Sequence, residues 1–430
     1  MNNLSLYRTL YFALGFFVPF ATLGPPLPGM IWITPSYFIG AALVALSLLS
    51  GKTNARQVTF TLLIIVFAAT SMGRHDLNTY LISLAAFALA TCPLFITFSN
   101  MDRFNSLVSG FIISYIITIS LIIAEILSQL LGIFYIYDQL SPFRPIKIHP
   151  HNYFVAYYRP QAAFAEPAHL GYYLAFTYVV FDRLKMRQRN LLQISCLAAT
   201  FFTGSLVGII LIATYIGVSA VSRFLALYSN GHSTVGRPFL VSMLIIFPAS
   251  ILTLAQFGAD FLNTISSRIS RTQEALSAGQ MTGSEGSRAN ALRTLLDYWD
   301  DKGVAGMLIG EGYGNISSWL TETYGHLQWS TMAGGSVDSK FVAIVLGTGV
   351  IGALFYIGFF AIVFKYFKAA TDMPIIALFI MANLASGGLL WYWKWHLLFI
   401  LLIVIRYHKS ANTEQYENIE HHTIAREARV

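Results

Sequence analysis

The chain has little charge. Asp, Glu, Lys and Arg make up 11% of its 430 residues, whereas a soluble protein of this size needs about a quarter to coat its surface. A water-soluble globular fold is therefore excluded as the expectation for most of the length. Cysteine is nearly absent. Cys92 and Cys196 are the only two, and both lie inside apolar runs. Two such thiols give neither a disulfide framework nor a zinc site. The net charge of +7 is spread thinly. A nucleic-acid patch is not expected, and the basic residues are read as topology signals instead. Met1 to Arg8 carries no short apolar region followed by a cleavage site, so the first apolar segment is read as an uncleaved span.

What the chain has in excess is apolar length. Hydrophobic residues make up 56%, and the mean hydropathy is +0.61. Crossing the hydrocarbon takes about 20 apolar residues per helix. Candidate spans fall at 7–24, 31–50, 57–73, 77–98, 106–136, 167–181, 191–205, 206–222, 238–257, 339–364, 374–391 and 393–407. The expectation is an all-α, polytopic integral membrane protein of about twelve transmembrane helices. It is read as a single membrane-embedded domain over 1–430. The pair of spans on either side of Gly204 also reads as one long tilted helix.

Alternate loops carry the cations. They are Lys52 and Arg56; Arg103; Arg183, Lys185, Arg187 and Arg189; Arg223 and Arg237; Lys365 and Lys368; and Arg406 with Lys409. The positive-inside rule places all of these loops, and both termini, in the cytoplasm. Two long outer segments remain, about 137–166 and 258–338. The second is polar but holds Leu295, Leu296, Trp299, Trp319 and Trp329, too apolar for a disordered strand of chain. It is expected to form an ordered cap, with a short helix over Arg288–Tyr298 capped by Ser284 or Ser287. The polar tail 410–430, with His421 and His422, reads as a cytoplasmic tail.

Several residues invite chemistry. Arg159 and Glu166 stand at the mouth of the span that opens at Pro167, where proline is tolerated. Charges there need a partner or water. They read as a structural pair or as an anion site, since arginine forks match phosphate oxygens. The large outer segment adds Arg268, Arg271, Arg288 and Arg293. Glu125 lies within an apolar span and reads either as lining a polar cavity or as paired with another helix. WYWKWH at 391–396 reads as an interfacial aromatic belt. GTGVIG at 347–352 matches a dinucleotide fingerprint, but it lies in an apolar span with no strand before it. Small-residue helix packing explains it better. GEGYGN at 310–315 reads as a phosphate nest or as a glycine-rich turn. His149 and His151 have metal-like spacing without a further ligand cluster.

The order RPQAAFAEPAHLG, TGSLVG, GSR, GEGYG and then VDSKFVAIVLGTGVIG resembles the bacterial O-antigen polymerases (Wzy type) and the related O-antigen ligases. The resemblance covers roughly Arg159 to Gly352. It implies a GT-C-like glycosyltransferase in the bacterial inner membrane, with its active site facing the periplasm. Donor and acceptor would be undecaprenyl-diphosphate-linked glycans, in contact with membrane lipid and with a chain-length regulator protein as a further partner. Neither a cofactor nor a metal is implied.

Arg159 matches the first family arginine and Arg288 the second, with Arg293 in support. Glu166 and Asp338 are the candidate bases. His169, Gly312, Tyr313 and His326 are candidate glycan or diphosphate contacts. Ligases place a histidine where this chain has Asp338-Ser339, which favours the polymerase, whereas the nearby His326 keeps the ligase in view. A lipid-linked oligosaccharide flippase is the alternative of another class. No internal repeat, the usual mark of such transporters, is evident. A non-catalytic assembly protein is a further reading.

Overall fold

The computed structural model describes residues 3–20, 26–27, 31–32, 35–49, 101–131, 153–154, 157–158, 160–164, 167–184, 186–229, 291–312, 316–324, 340–364, 369–385, 397–398 and 400–405. The expected spans 57–73, 77–98 and 238–257, and the tail 410–430, lie outside the described residues.

The described architecture is all-α. Its helices are α1 (Asn3–Phe17), α2 (Pro35–Leu49), α3 (Met101–Leu130), α4 (Pro167–Arg183), α5 (Arg189–Phe202), α6 (Leu206–Ser229), α7 (Ala291–Ile309), α8 (Ile316–Tyr324), α9 (Lys340–Phe364) and α10 (Ala369–Ala385). Two antiparallel ladders of two residues a side, Pro26–Leu27 with Ile31–Trp32 and Tyr153–Phe154 with Tyr157–Tyr158, are the strand pairings among the described residues. Two stretches, Asp102–Leu130 and Val207–Phe224, are long and apolar enough to cross a membrane.

The helices sit close to the apolar runs, with shifted ends. The first begins four residues before its expected start and turns 3-10 over Val18–Phe20. Helix α3 begins at Met101 rather than 106, because Asp102 in its first turn pairs with Arg8 of α1. Helix α10 begins at Ala369, so Pro374 lies inside it rather than at its start. The segment around Gly204 is two helices, not one long tilted helix. Gly204 has a φ of +55°, which breaks α5 from α6, as glycine permits.

Close crossings use small residues. On α1 and α3, Gly15 and Gly110 face the partner backbone. A Cβ on Gly110 would meet the Phe12 carbonyl, and one on Gly15 would meet Leu107 and Phe111. Gly171 of α4 and Gly208 of α6 form a second crossing of this kind. Such crossings let backbones approach without a gap in the packing.

On two helices the exposed face is apolar, and polar residues lie among the apolar ones that fill the interior. On α3, Ser114, Thr118 and Glu125 are buried, whereas Ile113, Ile116, Ile123 and Leu127 are exposed. Helix α5 repeats the pattern. Gln193, Cys196 and Thr200 point inward, and Leu191, Ile194 and Phe202 point outward.

At the other end of α4, a polar knot ties four helices. Asp182 accepts hydrogen bonds from Arg189 (2.5 Å), Gln193 (3.1 Å) and the Tyr215 hydroxyl (2.6 Å). Next to it, Arg183 pairs with the buried Asp372 of α10 at 3.3 Å. Removing one hydroxyl should loosen this knot measurably. Tyr215→Phe keeps the ring and loses one bond to a charged acceptor, so it should cost about 1.5–3 kcal/mol. A thermal melt of the purified protein reads it; an unchanged melting temperature would contradict the role.

Candidate functional site

Helices α3 and α4 run antiparallel. Tyr115 meets Phe181 edge-on, with ring centroids 4.9 Å apart. At the opposite end of the pair, Glu125 of α3 reaches the segment that leads into α4. Here the chain makes a tight turn. The Phe164 N–H donates to the Gln161 carbonyl at 2.9 Å, and Ala162 takes a φ of +48°. A non-glycine residue in this left-handed region is strained and needs its surroundings to hold it.

Glu125 supplies the hold. One carboxylate oxygen, Oε2, accepts the Gln161 N–H at 2.8 Å and the Ala162 N–H at 3.2 Å. Pro160, Gln161, Ala162, Ala163 and Phe164 are all buried. The N–H groups of Gln161 to Phe164 therefore need a protein acceptor, and a carboxylate is a stronger one than a neutral oxygen. Phe164 stacks at a tilt on Tyr173 of α4, 5.2 Å between centroids, and fixes the turn against the next helix. The sequence reading of Glu125 expects a polar cavity or a partner helix; it bonds instead to the backbone amides of a turn.

Helix α4 opens with Pro167 and carries His169, half-buried, in its first turn. Two residues further in, Gly171 lies against Ser205. The TGS turn there is itself polar and buried. The Ser205 N–H donates to Thr203 Oγ1 at 3.3 Å, and the Gly208 N–H donates to Ser205 Oγ at 3.3 Å.

A second feature involves the large polar segment. Its expected short helix is longer than the sequence indicated. Helix α7 runs to Ile309 and is interrupted at Gly303, which has φ +61° and ψ −158°. Arg293 lies in its first turn, exposed, with Asp297 one turn on at 3.9 Å. A small core forms behind it. Tyr298 and Trp319 meet edge-on at 5.0 Å, and both are buried with Leu295, Ile316 and Leu320. The Trp319 indole N–H donates to Asp301 at 2.9 Å.

That bond, and then Lys302 beside it, holds the Asp301 carboxyl below its ordinary pKa. A depressed carboxylate pKa adds stability above the unfolded value and loses it as the pH falls through the folded one. Trp319→Phe removes the larger cause. The wild-type melting temperature should therefore fall more on acidification below the usual carboxylate range than that of Trp319→Phe. Parallel pH curves would contradict it.

The glycine-rich stretch docks on a broken helix. Helix α9 is interrupted at Gly349, with φ +65° and ψ −172°. The break deprives the preceding carbonyls of intrahelical donors. The N–H of Glu311 donates to the Leu346 carbonyl at 2.7 Å, and that of Gly312 to the Gly347 carbonyl at 2.8 Å. Gly310 and Gly349 touch each other's backbones, so a Cβ at either would collide. The Tyr298 hydroxyl donates to the Glu311 carboxylate at 3.1 Å. This corrects the phosphate-nest reading at these two positions. The N–H groups of Glu311 and Gly312 are committed to carbonyls. GTGVIG is a site of close helix packing, with helix before it rather than a strand.

Of the sequence-derived site residues, His169, Arg293 and Gly312 are described. Arg159, Arg288, Glu166, Asp338, Tyr313 and His326 lie outside the described residues, as do His149, His151 and the aromatic run 391–396. Sequence reasoning passed over the Gln161–Ala162 backbone and its tie to Glu125. The available signal was an acid inside an apolar helix. Among the described residues, no three His, Cys, Asp or Glu side chains gather as a metal ligand set. No family model matches the chain, and no curated protein matches it either.

Proposed function

We propose that the chain is a polytopic glycosyltransferase of the bacterial inner membrane that polymerises undecaprenyl-diphosphate-linked repeat units into O-antigen or a related surface polysaccharide. The observation that carries this reading is the Glu125-held turn. It fixes the backbone immediately after Arg159, in the stretch that resembles the O-antigen polymerases. A strained, buried turn held by an ionisable side chain is the sort of local cost that functional segments carry. The apolar outward faces of α3 and α5 support the membrane setting, because such faces suit a lipid solvent. In this reading about twelve helices cross the bilayer, both termini are cytoplasmic, and the large segment 258–338 faces the periplasm.

In the reaction, an acceptor-glycan hydroxyl attacks the anomeric carbon of the donor. The new glycosidic C–O bond forms as the bond to the lipid diphosphate breaks. Negative charge grows on the leaving diphosphate, and positive charge on the sugar ring. Arg159 and Arg288 stabilise the leaving group, with Arg293 in support. Glu166 or Asp338 takes the hydroxyl proton. His169, Tyr313 and His326 contact glycan.

A genetic test separates this from its neighbours. Deleting the gene should leave single repeat units on the lipid A–core. A core with no repeat unit at all would point to the ligase. Repeat units trapped on the cytoplasmic leaflet would point to the flippase.

A further inference from the structure

The second half of α7 lacks a polar surface. Before Gly303 the helix carries Asp297, Asp300, Asp301 and Lys302. After Gly303 comes VAGMLI, with no charge and no hydrogen-bonding side chain. Yet Val304 is 69% exposed, Ile309 49% and Leu308 40%. A contiguous apolar face of this kind is costly in water. The break in composition falls at the break in the backbone, where Gly303 leaves helical geometry.

The far end of this half-helix is fixed against α9, and the membrane reading of α9 gives it a depth. Leu308 and Gly310 touch Gly349, and Glu311 and Gly312 bond to Leu346 and Gly347. Helix α9 is 25 residues long and meets Lys365 in sequence directly after its end. Counting back about 20 residues for the hydrocarbon puts its other boundary near Val345. Gly349 then lies about 6 Å inside, at about 1.5 Å per residue. The half-helix Val304–Ile309 spans about 9 Å by the same rise. It therefore reaches from the boundary to Gly349, with the charges of Asp300 to Lys302 left at the surface. Beyond Gly349, the exposed face of α9 is again apolar, with Ile351, Leu354 and Ile357.

We infer that Val304–Gly312 is not part of the aqueous cap but a re-entrant wedge, with its apolar face in the acyl chains of the outer leaflet. Gly303 is the elbow at the water boundary. Irregular backbone at this depth is tolerated because α9 covers its polar groups. The lipid is the occupant: the wedge has exposed apolar residues of α9 as its continuation, and the one charge within it, Glu311, is tied to the Tyr298 hydroxyl at 3.1 Å. The inference rests on the membrane reading of α9 and not on the glycosyl-transfer chemistry. It places the glycine-rich loop below the surface of the leaflet that a polyprenyl-linked substrate occupies.

The test attaches an environment-sensitive fluorophore to single cysteines in a full-length chain whose Cys92 and Cys196 are replaced by alanine. The positions are Val304→Cys, Leu308→Cys, Asp300→Cys and Leu354→Cys, in nanodiscs with and without nitroxide-bearing phospholipid. At 304 and 308, as at 354, emission should be blue-shifted, quenched by the lipid nitroxide and protected from aqueous iodide. At 300 the pattern should reverse. If 304 and 308 behave like 300 while 354 stays lipid-quenched, the wedge is refuted and the membrane reading stands. If 354 is also quenched by iodide alone, the membrane reading fails with it. Protection from both quenchers that is lost in single-copy nanodiscs would assign the face to a second copy of the chain and overturn the inference.

Discussion

Arg159→Ala and Arg288→Ala should each lower polymerisation about 100- to 1,000-fold, the usual effect of removing one preorganised donor from a developing anion. That corresponds to about 3–4 kcal/mol of transition-state stabilisation. The loss should appear in the turnover number more than in the apparent substrate affinity, because the charge on the diphosphate grows as the bond breaks. Lysine should not rescue Arg159. A planar fork grips two phosphate oxygens at once, whereas an ammonium is a point charge. Glycan gels of the reconstituted reaction, densitometered against time, read both effects. Polymer of normal length from Arg159→Lys would remove Arg159 from the diphosphate.

Glu125→Leu should be among the most damaging single changes in the described helices. It strips the acceptor from the Gln161 and Ala162 N–H groups, which sit at 2.8 and 3.2 Å from Oε2 in a buried turn. An unsatisfied buried amide costs about 1–3 kcal/mol, so the pair costs roughly 2–6. The left-handed Ala162 then loses the carboxylate that braces it, and the turn relaxes. Glu125→Gln keeps an acceptor oxygen in place and gives up only the charge assistance, for about 1 kcal/mol. Melting temperatures should thus order wild type, Gln and Leu, and activity should follow the same order. A Leu variant that melts with the wild type would show that the carboxylate does not hold the turn.

How far these features were legible in the sequence differs from residue to residue. The long apolar runs gave the helices, because hydrocarbon-length stretches have few alternatives. Helix ends were shifted by contacts made far along the chain, as Arg8 with Asp102 extends α3 at its start. Glu125 stood out as an acid among isoleucines, but its partners are backbone amides 36 and 37 residues away. No periodicity encodes such a tie. GTGVIG was correctly separated from a nucleotide fingerprint by the missing strand. What it packs against, Leu308 to Gly312, depends on a loop meeting a break in a helix, and glycine spacing carries no address. The kink at Gly303 was hidden for a related reason. A glycine inside a helical pattern is compatible with a straight helix as well as a bent one.

The central claim is best tested by giving the purified protein its cognate lipid-diphosphate-linked repeat unit in the presence of a chelator and resolving the products on a glycan gel. The account predicts a ladder of repeat units that disappears in Arg159→Ala and in Arg288→Ala. A folded, monodisperse protein that leaves the repeat unit unextended would contradict it.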